Sequence, residues 1–313
     1  MSRINMVVNG VSRFIFNSDY RFRWFAGLGL YKKMNDEEYL KRLYKANFGK
    51  PLNLEAPETF NEKMQWLKLY NRDPRYIQMV DKYLVKDYVG KIIGFEHIIP
   101  TIGVWDRAED LNFDDLPNQF VLKCNHNSGK GMYICRDKSK CDMHTVIRNL
   151  RLGLAQDYYS INREWPYKDV QRKIIAEKYM EDSDGSGELT DYKIHCYNGI
   201  PKIVQVITNR FSTTGMVNDH YTLEWDKLDL VRGHYHTKAE PVKKPDELDE
   251  MLQYSRMLCQ DIPYVRTDFY IIRHKVYFGE ITFFPASGFN SFHPDKWDKI
   301  FGEWIQLPEK KIT

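Results

Sequence analysis

Tyr264-Val265-Arg266-Thr267-Asp268-Phe269-Tyr270, followed after Arg273-His274-Lys275 by Val276-Tyr277-Phe278-Gly279-Glu280-Ile281-Thr282, is the stretch that decides the fold. Both runs are rich in β-branched and aromatic residues and read as strands, with Arg273-His274-Lys275 as the turn. Side chains two apart share a face of a strand. Paired as a hairpin, the runs therefore put Arg266, Asp268, Glu280 and Thr282 on one surface. Two carboxylates beside a cation suit Mg²⁺ and the phosphates it holds, because Mg²⁺ prefers carboxylate and phosphate oxygens. A hairpin with one solvated face has the same local pattern, so the decision passes to the rest of the chain.

Three upstream segments bear on it. Phe120-Val121-Leu122-Lys123-Cys124 and Tyr133-Ile134-Cys135 flank Asn125-His126-Asn127-Ser128-Gly129-Lys130-Gly131, a strand, a glycine-containing turn and a returning strand. Gly129 and Gly131 allow backbone N–H groups to approach an anion, with Lys130 as a cation at the tip. The spacing is not that of a Walker A loop. Lys123 sits within an apolar strand, where it either meets an anionic partner or snorkels from an edge. Lys173-Ile174-Ile175-Ala176-Glu177-Lys178-Tyr179-Met180-Glu181-Asp182 is an apolar strand running into acids. Asp191-Tyr192-Lys193 follows, its two charged residues on one face, and Asn198-Gly199 signals a tight hairpin.

The chain has 313 residues, 42% apolar and 28% charged, enough to bury two or three cores. Its formal net charge of +3 argues against a dedicated nucleic-acid binder. Residues 36 to 90 read as helical, with Asp36 capping a helix to Ala46, a Thr59–Glu62 capping box, and a helix from Asp73-Pro74 through Leu84. Strand signals dominate from Ile98 to Val206, residues 237–245 form a polar connector, and a helix spans Asp246 to Cys259. Residues 1–35 carry Arg3, Arg13, Arg21, Arg23, Lys32 and Lys33 against Asp19, interleaved with aromatics. That mixture fits an anionic membrane surface or polymer, and equally a basic packing subdomain. No run approaches the roughly 20 apolar residues of a spanning helix, and the N-terminus does not read as a signal peptide. Five cysteines without paired spacing suggest neither zinc nor disulfides, and a reducing, cytoplasmic setting.

The order of these elements resembles that of the ATP-grasp enzymes: strand lysine, glycine-rich hairpin loop, strand ending in Glu, Asp-x-Lys strand, Arg-x-Asp strand, Glu-x-polar strand. Leu52-Asn53-Leu54, Thr59-Phe60-Asn61-Glu62-Lys63-Met64-Gln65-Trp66, Val121-Leu122-Lys123-Cys124-Asn125-His126, Thr190-Asp191-Tyr192-Lys193 and Phe278-Gly279-Glu280-Ile281-Thr282-Phe283-Phe284-Pro285 resemble its TupA-like branch, named for teichuronopeptide biosynthesis. The resemblance covers roughly residues 36 to 305. It implies an α+β ATP-grasp fold with the nucleotide between two α+β subdomains and a helical N-terminal region. The expected division is 1–75, helical and acceptor-binding; 76–176, lid with the hairpin loop; and 177–313, core with the metal and phosphate site.

The resemblance also implies roles. Lys123 would reach adenine and the α-phosphate, and Ser128, Gly129, Lys130 and Gly131 would cover the β- and γ-phosphates. Glu177 with the Lys178 and Met180 backbone would meet the adenine edge, and Glu181 or Asp182 the ribose. Lys193 would contact the γ-phosphate, Asp268 and Glu280 would ligate Mg²⁺, and Arg266 would steady the acyl-phosphate oxygens. Arg266, Lys193 and Lys130 are thus the expected catalytic cations. Thr282 stands where the family places a second metal-binding amide, and an N-terminal α/β domain is not evident. The implied activity is ADP-forming carboxylate–amine ligation with ATP and Mg²⁺, joining an amino acid to a uronic-acid-containing surface polysaccharide or its lipid-linked precursor, in the cytoplasm or at the inner membrane face. The competing readings are a glycosyltransferase using Asp182-Ser183-Asp184 and a non-catalytic polysaccharide-binding protein. A metal site at His234-Tyr235-His236 lacks a third ligand.

Overall fold

The structure is a computed structural model that describes residues 14–181, 189–209, 215–238 and 240–310. It opens with helices α1 (Ser18–Gly27), α2 (Asp36–Phe48), α3 (Phe60–Tyr70), α4 (Arg75–Val80) and α5 (Leu84–Ile93). The cap of α2 is Asn35, whose side chain accepts from the Glu37 and Glu38 N–H groups, so Asp36 is the first helical residue and not the cap expected from sequence. The Thr59–Glu62 capping box is formed in both directions. The single helix expected through Leu84 is broken at Asp81, which is extended (φ −71°, ψ 111°). Its carboxylate accepts from the Tyr83 and Leu84 N–H groups (2.8 and 3.2 Å) and starts α5 afresh.

Strands β1 (Thr101–Trp105), β2 (Phe120–Cys124) and β3 (Tyr133–Cys135) follow, then helices α6 (Met143–Leu154) and α7 (Tyr158–Asn162), then β4 (Ile174–Lys178). The two helices interrupt what the sequence reads as strand-dominated. Asp142 caps α6 through the Thr145 N–H, and Val146, Leu150 and Gly153 repeat at helical spacing on its buried face. The four strands form an antiparallel sheet in the order β1-β4-β2-β3. Leu111, Phe113, Phe120, Leu122, Val146, Leu150 and Ile174 give it a small core of its own.

The rest comprises β5 (Asp191–Tyr197), β6 (Ile200–Thr208), β7 (Val217–Tyr221), β8 (Val231–Arg232), α8 (Leu248–Leu258), β9 (Tyr264–Ile272), β10 (Lys275–Thr282), β11 (Phe292–His293) and α9 (Lys296–Glu303). Five strands form an antiparallel sheet, β10-β9-β5-β6-β7, and β8 pairs with β11. Asn198 and Gly199 take positive φ (49° and 80°) at the β5–β6 turn, as the Asn-Gly pair suggests. The β9–β10 turn is shorter than the sequence suggests: only Arg273 and His274 form it, both left-handed (φ 52° and 59°), and Lys275 already pairs with Ile272.

One apolar core joins this sheet to the N-terminal helices, from Leu40, Tyr44 and Phe60 to Val265, Phe269 and Phe301. Residues 84–93, placed with the lid on sequence grounds, contribute Val85, Val89 and Ile93 to that large core. Helix α9 approaches the start of α3 so closely that a Cβ on Gly302 would lie 2.0 Å from the Glu58 carbonyl. Lys63 of α3 donates to the Gly302 and Ile305 carbonyls (2.9 and 2.8 Å), which satisfies the C-terminal end of α9.

Candidate active site

A pocket of about 150 Å³ opens between the two sheets. Its apolar walls come from Ile99, Val121, Met132, Ile134, Met180 and Leu189, and its polar lining from Lys123, Arg136, Glu177, Lys178, Tyr179 and Asp191. An apolar slot with a few polar groups in its lining is the usual make-up of a small-molecule site. Antiparallel pairing of β2 with β4 sets Lys123 diagonal to Glu177, and the ammonium donates to Glu177 Oε2 at 2.5 Å. Lys86 of α5 reaches the other oxygen at 2.7 Å. Burial alone would push the Glu177 carboxyl up, but the two lysines outweigh it and hold it at about 2. Burial pushes the Lys86 ammonium down, with Glu177 pulling the other way.

A smaller adjoining pocket runs from Lys123, Lys86 and Glu177 past Lys82 to Gly279 and Glu280. It connects the slot to the hairpin face. There the register places Lys193 opposite Asp268, Asp268 opposite Glu280, and Arg266 opposite Thr282. A bulge between Phe278 and Glu280 brings the carboxylates level. Gly279 fits at this bulge because a Cβ there would meet the Tyr270 ring at 3.0 Å and the Asp268 carbonyl at 3.1 Å. Arg266 donates to both oxygens of Asp268 (Nε 2.6 Å, Nη2 2.7 Å), to Glu280 Oε1 (2.9 Å) and to Thr282 Oγ1 (3.1 Å). Lys193 donates to Asp268 Oδ2 and lies 3.6 Å from Asp191. Burial lowers the Lys193 pKa while Asp268 raises it. Arg266, Lys82 and Lys193 hold the Glu280 carboxyl well below the usual carboxylate range.

The donor set consists of hard oxygens, which fits Mg²⁺, with phosphate and water completing the shell. The fit is uneven. The Glu280 side chain is 41% accessible and only its Oε1 is engaged by Arg266 and Thr282. Asp268 is 1% exposed with both oxygens taken by cations, so it must release one before it can ligate an ion.

A sequence profile described as TupA-like ATPgrasp matches residues 62–306. The chain belongs to this family. Among solved structures, this TupA-like ATP-grasp protein is similar to D-alanine–D-alanine ligase from Bacillus anthracis complexed with ATP (16% identity, TM-score 0.39, covering 66% of this chain and 55% of that one). The D-alanine–D-alanine ligase from Helicobacter pylori is similar at 16% identity and TM-score 0.42, covering 79% and 69%. The chain therefore spans about 55% of the length of the Bacillus anthracis ligase. No curated protein matches it.

The TupA-like fold brings Lys193, Arg266, Asp268, Glu280 and Thr282 together, and Lys123, Glu177, Lys178 and Met180 around the slot. Glu181 is exposed and does not line the slot, while Asp182, with the Asp182–Asp184 pair, lies outside the described residues. In the hairpin loop, Ser128, Gly129 and Lys130 are exposed. The loop base is anchored: Asn127 Nδ2 donates to the Gly153 carbonyl (3.1 Å), and Lys82 Nζ to the Asn127 carbonyl (2.7 Å). Gly131 (φ 80°) packs against α6, where a Cβ would sit 3.1 Å from both Cys124 Sγ and Gly153 Cα. Its smallness thus serves packing as well as turn geometry. The sequence reading missed Lys82 and Lys86. Lys82 lies in the turn before α5 and Lys86 in its first turn, and four residues apart they look the same in sequence as the solvated face of any helix.

Proposed function

We propose that this chain is an ATP-dependent carboxylate–amine ligase that forms ADP and an acyl phosphate on the way to an amide. The observation that carries the reading is the row of cations between the slot and the hairpin: Lys123 and Lys86 at Glu177, Lys82 in the pocket that reaches Glu280, and Lys193 and Arg266 at Asp268 and Glu280. Such a row suits a triphosphate laid across it. Lys123 would take the α-phosphate and Lys130 would close over the outer phosphates with Ser128, Gly129 and Gly131. Lys193 would hold the γ-phosphate, and Arg266 the oxygens on which charge develops. Mg²⁺ held by Glu280, by Asp268 once it is released, and weakly by Thr282 would supply charge neutralisation at the transferring phosphoryl group. Closure of the loop would keep water from the acyl phosphate, leaving the amine as acceptor.

The acceptor proposed is a uronic-acid carboxylate of a surface polysaccharide or lipid-linked precursor, and the amine an amino acid. The N-terminal segment supports a location at an anionic surface. Phe16, Trp24, Leu28 and Leu30 are exposed, beside the cations Arg23, Lys32 and Lys33. Among the described residues no helix is long and apolar enough to cross a membrane. The test is release of ADP and phosphate from Mg-ATP across a panel of uronates and amino acids, both being required. AMP with pyrophosphate, or UDP from a sugar nucleotide, would overturn the reading.

A further inference from the structure

Beyond Arg266, the sheet face continues as a polar layer that the ligation chemistry does not use. His195, opposite Arg266 in the register, is hydrogen-bonded to the Tyr264 hydroxyl at Nδ1 (2.7 Å) and to Gln205 Oε1 at Nε2 (2.9 Å). Gln205 donates onward to Asn218 Oδ1 (2.9 Å). Over this layer lies Arg232 of β8, 3% exposed, its guanidinium 4.9 Å from the Phe292 ring centroid and 5.8 Å from that of Phe60. Its Nε and Nη2 have no hydrogen-bond partner, and among the described residues no acid lies within ion-pair distance of it. The carboxylate whose field reaches it, Asp298, is engaged by the Asn61 N–H at 3.0 Å. Asn218 Nδ2 and the Tyr197 hydroxyl, in the same layer, are also buried without partners.

The orphaned groups are mostly donors, and one carries a full positive charge. Water can satisfy an amide or a hydroxyl, but it does not neutralise a buried guanidinium. The charge is felt nearby: burial first, then Arg232, push His195 and His220 well below the ordinary histidine value, so both are neutral at pH 7 and take no share in compensating it. A planar fork of unpaired N–H groups is the geometry that grips a carboxylate or phosphate through two parallel bonds. Gly233, the next residue after Arg232, lines a surface groove together with His234, Asn290 and Arg23.

We propose that Arg232 is the centre of an oxyanion-binding subsite next to the reaction face, occupied by a carboxylate of the acceptor or by phosphate. The subsite deepens the ligase reading and rests on it for the identity of the anion. An acceptor held there by one carboxylate would present another group toward Arg266. A polyanionic acceptor would thus be distinguished from a simple monocarboxylic acid.

The test is thermal unfolding of the full chain with sodium glucuronate, with inorganic phosphate and with Mg-ATP, each against a salt control, for wild type and Arg232→Met. An oxyanion at ten times its Kd is expected to raise the wild-type Tm by about 2–4 °C. Arg232→Met should lose that shift, keep the Mg-ATP shift, and match or exceed the wild-type Tm without ligand, because the variant no longer buries an unpaired charge. A glucuronate shift without a phosphate shift assigns the subsite to the acceptor, and the reverse assigns it to released phosphate. A wild type that responds to neither oxyanion, or a variant that retains the shift, overturns the proposal. If Arg232→Met does not fold, Arg232→Lys takes its place, and an unchanged oxyanion shift in that variant overturns it. Loss of the Mg-ATP shift in wild type would sink the ligase reading alone and leave the oxyanion result standing.

Discussion

Replacing Glu177 by Gln probes the hub on which the apolar slot and the row of cations meet. The carboxylate is 5% exposed and bridges Lys123 (2.5 Å) and Lys86 (2.7 Å). Glutamine can accept from one lysine, but its amide then turns donors toward the other, leaving an ammonium without an acceptor. The depression of the carboxyl from 4.5 to about 2 corresponds to about 3 kcal/mol of folding stability at neutral pH, of the size expected when one partner of a buried ion pair is removed. The sign follows from the depressed folded value. The unfolded chain binds the proton more readily, so the contribution is complete above about pH 5 and fades as pH falls toward 2. At pH 3, between the folded and unfolded values, about half of it should remain. Urea unfolding of wild type and Glu177→Gln at pH 7 and pH 3 would read both numbers. A cost near 3 kcal/mol that halves at pH 3 is expected. A cost independent of pH, or below about 1 kcal/mol at pH 7, would refute the bridging arrangement.

Glu280→Gln should abolish ligation with little effect on stability, whereas Asp268→Asn should abolish it and also destabilise by about 3–5 kcal/mol, because Arg266 and Lys193 lose a buried partner; activity and urea midpoints together check both. Lys130→Ala should slow phosphoryl transfer more than it weakens ATP binding, and Lys123→Ala should weaken binding itself, as single-turnover rates against ATP titration would show. Gly131→Ala should cost about 1–3 kcal/mol, since a Cβ at φ 80° meets Cys124 and Gly153 at 3.1 Å; an unchanged midpoint would mean that the loop base yields. Deleting residues 1–35 should reduce binding to anionic vesicles while Mg-ATP binding persists, measured by co-sedimentation and thermal shift; vesicle binding that survives the deletion would count against the proposed surface role.

The periodicity of the chain determined which side chains could share a face. Alternation in 264–270 and 276–282 already grouped Arg266 with Asp268 and Glu280 with Thr282, and the Thr59–Glu62 box and the Asn198-Gly199 turn were legible because their chemistry lies within four residues. The Asp81 break was less plain: a carboxylate that caps two N–H groups looks, in sequence, like one more polar residue on a helix. Contacts between distant segments were decided by the tertiary structure. Nothing in the strand 120–124 says whether Lys123 snorkels or pairs; β4 laid beside β2 supplies Glu177, and α5 adds Lys86 from nearly forty positions upstream. Burial was decided there too. Asp268 reads from sequence as a metal ligand, yet the sheet closes Arg266 and Lys193 around it. Arg232 gave no signal at all, because an arginine in a polar stretch is ordinary until β11 and α3 pack Phe292 and Phe60 against it and remove its water. Local hydrogen bonding and side-chain period travel with the chain, whereas desolvation and charge pairing exist only once remote segments meet.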